Sequence, residues 1–130
     1  MNIEIVSVKD AGNNDKERVV LNVTKDSDLG DYIIATSTAN PDNTISPLIE
    51  NIYWLPNQTV KAGDLVVVYT KKGKQGKIEN KDGSTSYFCY WNLKDTLSAK
   101  DDTTVVLFET TWTNIKVKTE IIKADEYIEQ

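Results

Sequence analysis

Residues 17–37 read ERVVLNVTKDSDLGDYIIATS, and this stretch decides the fold class. Val19, Leu21 and Val23 alternate with Arg18, Asn22 and Thr24, broken only by Val20. A repeat of two places alternate side chains on opposite faces, the mark of a strand with one face buried. Lys25-Asp26-Ser27-Asp28-Leu29-Gly30 follows, rich in the Asp, Ser and Gly that turns require. Tyr32-Ile33-Ile34 then opens a second apolar run. The unit is strand, turn, strand.

The same grammar extends in both directions. Ile3 and Ile5 alternate with Asn2 and Glu4, and Ile115, Val117, Thr119 and Ile121 alternate with Asn114, Lys116, Lys118 and Glu120. The second of these runs is the cleanest half-buried pattern in the chain. Leu65–Tyr69 and Val105–Phe108 are apolar on both faces. They read as central strands covered on both sides, or as strands with one face meeting a partner. Eight strands are expected, at about 2–8, 17–24, 31–37, 50–55, 64–71, 86–92, 103–109 and 114–122. Residues 93–100 suit a helical turn, 123–130 a short terminal helix, and 38–49 a polar connection. Without helices to carry parallel crossovers, the expected architecture is all-β, an antiparallel two-sheet sandwich in one domain spanning residues 1–130. Trp54, Trp91 and Trp112 are large enough to dominate its core.

Composition narrows function by exclusion. The chain has 130 residues, one Cys and no His. An intrachain disulfide, a Cys-based zinc site and His-dependent nucleophilic catalysis are therefore excluded. The net charge of −5 opposes general binding to nucleic acid or anionic lipid. MNIEIVSVKD lacks the basic start and apolar centre of a signal peptide, and no run approaches the length of a membrane span. The expected location is the cytoplasm, or a virion or host cytoplasm if the chain is phage-encoded.

Three stretches resemble the lamin-tail domain, an immunoglobulin-like β-sandwich. Glu17–Thr24 with Leu29–Ile34 is similar to that family's opening strand, turn and strand. Val60–Tyr69 is similar to its turn and second strand, and Trp91-Asn92 with Asp101–Phe108 to its later Trp-Asn and Asp-Thr-Val elements. The likeness covers about residues 17 to 109; Tyr32 stands where the family usually has Trp, and Asp101 where it usually has Gly. It implies an immunoglobulin-like sandwich of about eight strands and a binding or tethering role, with no catalytic residues to carry over.

Candidate sites each have a plainer reading. Residues 71–81, KKGKQGKIENK, carry Lys71, Lys72, Lys74, Lys77 and Lys81 against one acid, Glu79. Such a hairpin can hold a polyanion through counterion release, or it can be a solvated loop that keeps a sheet edge from pairing. Asp26, Asp28 and Asp31 offer hard oxygens for Ca²⁺, but their spacing misses the EF-hand loop and suits a capped turn. Cys89 sits in the apolar run Tyr87-Phe88-Cys89-Tyr90-Trp91 with no base to activate it, so a buried structural role is expected. Pairs such as Asp101 and Asp102 are not selected by any spacing.

In the same run, Phe88 and Tyr90 share one strand face, and Tyr87, Cys89 and Trp91 the other. With one of the two faces outside, an exposed Tyr/Trp face would be a docking surface, and Tyr87, Tyr90 and Trp91 are the candidate protein-docking residues. The sequence reading is thus a non-catalytic protein-interaction module without cofactor or metal, self-associating or occupying a partner protein. The alternative is a small polyanion-binding protein acting through the lysines of 71–81.

Overall fold

The computed structural model describes residues 1–118. The fold is all-β, with ten strands: β1 Ile3–Lys9, β2 Arg18–Val23, β3 Ser27–Asp28, β4 Tyr32–Thr38, β5 Glu50–Trp54, β6 Thr59–Val60, β7 Leu65–Tyr69, β8 Gly76–Glu79, β9 Thr85–Tyr90 and β10 Thr103–Glu109. A five-stranded sheet in the order β1-β2-β7-β9-β8 faces a three-stranded sheet in the order β10-β4-β5, and β3 pairs with β6 as a small ribbon. Short 3-10 turns lie at Leu29–Asp31 and Leu97–Ala99, the second inside the stretch where a helical turn is expected.

The core follows the period-two reading closely. Ile3, Val19, Leu21, Val23, Val66 and Val68 project inward from the large sheet, and Tyr32 and Ile34 from the small one. Leu29, Leu55, Val60, Cys89, Trp91 and Leu97 complete the cluster. Leu65–Tyr69 is central, as expected, with β2 on one side and β9 on the other. Buried Glu17, at the base of β2, ties two connections to this core: its carboxylate accepts from the Gly12 N–H and the Leu97 N–H, each at 2.7 Å.

Three expectations are corrected. First, β7 and β9 run parallel. The chain makes this crossover without a helix: it leaves β7, passes the position of β9, forms β8 at the edge, and returns as β9 between the two. The passing loop is close-fitting. A Cβ on Gly73 would stand 2.3 Å from Cδ1 of Tyr90, so only a residue without a side chain clears the ring.

Second, residues 114–118 form no strand, and the rest of the expected 114–122 strand, like the expected helix at 123–130, lies outside the described residues. Ile115 is 88% exposed and Val117 90% exposed. Alternation alone forms no strand; a sheet edge must be present to pair with it.

Third, only Trp91 belongs to the core. It is 7% exposed, and its indole N–H reaches across the sandwich to the Asn51 carbonyl at 2.7 Å. Trp54 and Trp112 lie outside, ring against ring, with centroids 4.7 Å apart.

Candidate functional site: the outer face of the three-stranded sheet

In β10, Val105 and Leu107 pack toward the core, so Val106 and Phe108 face outward. Phe108 pairs with Ile33 of β4, and Ile33 pairs with Trp54 of β5, so these three form one row across the sheet. Ile52, two residues before Trp54, shares that face. After β10 the Thr110 N–H bonds to the Asp31 carbonyl, which carries the chain past the end of β4 and sets Trp112 against Trp54. Trp54 is anchored from beneath, its indole N–H donating to the Gly30 carbonyl at 2.6 Å.

The resulting patch is aromatic and open: Ile52 is 59% exposed, Trp54 48%, Trp112 45% and Phe108 41%. Its other end is closed. Ser37 donates to the carbonyls of Ser46 and Leu48, which holds the 39–49 connection against β4. The patch therefore occupies the end of the sheet where the chain continues into residues 110–118. Beside it, β5 is the last strand of the sheet among the described residues.

The aromatic strand 86–92 is organised differently from this patch. Cys89 and Trp91 are core residues and Tyr87 packs against them, whereas Phe88 and Tyr90 face out from the five-stranded sheet. Tyr87, Tyr90 and Trp91 thus do not share a surface. Tyr90 stacks on Tyr69 with centroids 5.5 Å apart, Phe88 flanks Tyr69 at 6.4 Å, and the Gly73 loop crosses against Tyr90. This second aromatic row is half-buried.

The lysines of 71–81 are spread over three elements. Lys71, Lys72 and Lys74 lie in the loop before β8, Lys77 in β8, and Lys81 in the β8–β9 turn. Lys71 sits over the Tyr69 ring, its Nζ 5.2 Å from the centroid, on the outer side of the large sheet. Lys77 pairs opposite the inward-packing Tyr87 and lines a shallow cavity of about 210 Å³ with Leu29, Pro56 and Gln58. The five charges do not converge on one groove.

Two of the acidic candidates, Asp26 and Asp28, are occupied by backbone amides. Asp28 accepts from the N–H groups of Gly30 and Gln58, and Asp26 from that of Ala62. Buried Asp64 accepts from those of Lys61 and Thr85. Among the described residues no group of three or more His, Cys, Asp or Glu side chains is placed to hold a metal ion. Cys89 is buried, and its thiol is pushed up to about 11 by burial, against a smaller lowering from the hydrogen bond with Tyr53. That is opposite to what a nucleophilic thiolate needs. Among the described residues no helix is long and apolar enough to cross a membrane.

Sequence reasoning did not single out this patch. Its signal was the run Val105–Phe108, apolar on both faces in a strand that the structure places at a sheet edge. No family model matches the chain, and no curated protein matches it.

Proposed function

We propose that this chain is a non-catalytic protein-interaction module that docks through the outer face of its three-stranded sheet. The observation that carries this reading is the convergence of Ile52, Trp54, Phe108 and Trp112, all exposed, on one sheet face beside an edge strand. Aromatic side chains in a contiguous apolar patch are the usual anchors of protein interfaces. The buried carboxylates cap turns and link loops, and the single thiol is held neutral in the core. These side chains serve the fold, which supports a binding role over a catalytic one.

The lamin-tail likeness agrees with this role. Its three stretches fall on β2 with β4, on β6 with β7, and on the Trp91 corner with β10, all parts of the sandwich framework. Polyanion binding by the lysine segment takes second place, because its charges are spread over a loop, an edge strand and a turn.

The test is affinity capture from the native host's lysate with the wild-type chain and an Ile52→Lys/Phe108→Lys variant. Both substituted side chains are exposed, so the variant should keep its circular dichroism spectrum and lose the captured partner. Equal capture by wild type and variant would overturn the assignment of this face.

A further inference from the structure

The patch has a feature that points to its occupant: the chain leaves the fold through it. From Thr110 to Lys118 the backbone makes no turn or bend, and residues 111–118 contain neither Gly nor Pro. Trp112 is set on Trp54 at the end of β5, and beyond it Ile115 and Val117 are almost fully exposed. The alternation of apolar and polar residues there is the most regular in the chain, and among the described residues it joins no sheet.

An edge is available close by. The Leu55 N–H bonds to the Tyr32 carbonyl, so Tyr53 and Leu55 turn their backbone toward β4. Trp54 therefore turns its backbone N–H and C=O groups to the open side, next to the register shift opposite Ala35. The three-stranded sheet is also two strands narrower than the sheet it faces, so another strand fits beside β5.

Among the described residues the segment does not pair with its own β5: it starts at the Trp54 end, and pairing along β5 would require a reversal directly after Trp112, where there is no turn or bend. We infer that the occupant is a second copy of this chain: the segment carrying Ile115 and Val117 adds as an outer strand to β5 of a partner copy, reciprocally. A twofold arrangement satisfies both edges at once and closes the assembly. Twelve further residues follow Lys118, and the apolar alternation continues in their sequence through Ile121, so the chain is long enough for the exchange. This inference rests on the docking role proposed above and names its partner.

The test is the molar mass of the full chain by light scattering across a concentration series. The mass should climb from 14.6 kDa toward twice that value with concentration. An Ile115→Pro/Val117→Pro variant should remain at the monomer mass, because proline removes the N–H that strand pairing uses. Both positions are exposed, so its melting temperature at low concentration should match wild type. Ile52→Lys, which places a charge on the receiving edge, should weaken association in the same way. Mixing the two variants should raise the mass above that of either alone, since one retains an intact edge and the other an intact segment.

A wild-type chain that stays monomeric throughout would overturn the inference; the docking role would then be judged by the capture experiment alone. A proline variant that dimerises as well as wild type would overturn it too, while leaving a dimer built on the patch itself. Failure of the mixed variants to associate would overturn the exchange between copies.

Discussion

The rings of Trp54 and Trp112 meet edge to face, with their planes at 83° and their centroids 4.7 Å apart, on the solvent side of the sheet. This geometry aligns the positive edge of one indole with the negative face of the other. It fixes the direction in which the chain departs from β10. A double-mutant cycle of Trp54→Ala and Trp112→Ala, followed by urea unfolding, should give a coupling of about 1 kcal/mol. Strict additivity of the two single losses would show that the rings do not support one another.

The carboxylate of Glu17 is a structural bracket. Glu17→Ala leaves the Gly12 and Leu97 amides without their acceptor, the Leu97 amide in a buried site. The expected loss is about 3 kcal/mol, and Glu17→Gln, which keeps one acceptor oxygen, should lose less. Denaturant midpoints with unchanged slopes provide the measurement; an alanine variant as stable as wild type would contradict the bracket.

Gly73 is required by the Tyr90 ring. Gly73→Ala should destabilise by about 1–3 kcal/mol through overpacking. The combined Gly73→Ala/Tyr90→Ala variant should be less unstable than the sum of its parts, because the obstruction has gone. Thermal melts of the four proteins of this cycle decide the matter.

How much of this was legible in the sequence depends on what each residue needed. Val19, Leu21, Val23, Val66 and Val68 could be placed because burial of one strand face is written directly in the period. Trp54 and Trp112 could not, because size and hydrophobicity suit a core and an open sheet face equally. The Ile115 and Val117 alternation reads as a strand, yet residues 114–118 form none, because no sheet edge pairs with them among the described residues. The parallel β7–β9 pair was hidden because its crossover is a strand, β8, in a segment that reads as charged hairpin. The docking patch combines side chains from β5, β10 and the segment after it, and only the β4 register brings them into line.

Stability should fall at both extremes of pH through one contact. The Tyr32 hydroxyl donates to Glu109 at 2.5 Å. That bond holds the Glu109 carboxyl below the usual carboxylate range, so its contribution is present above that range and is lost as pH falls through the lowered folded value. Burial, then the same bond, pushes Tyr32 up to about 12. The unfolded chain's tyrosine ionises near pH 10, so stability declines as pH rises from there toward the folded value. Tyr32→Phe should flatten both slopes. Urea midpoints followed against pH would reveal this, and slopes identical to wild type would exclude the contact as their source.

The looping of β8 around β9 also sets an order of assembly. On a growing chain, β7 emerges with one edge bare, and the strand synthesised next is not the one that belongs there. β9 can enter beside β7 only after β8 has been made, with the Gly73 loop drawn across the Tyr90 ring. Until that late, non-local docking is complete, the larger sheet is missing two of its members, and this interval is when the nascent chain is most open to misassembly.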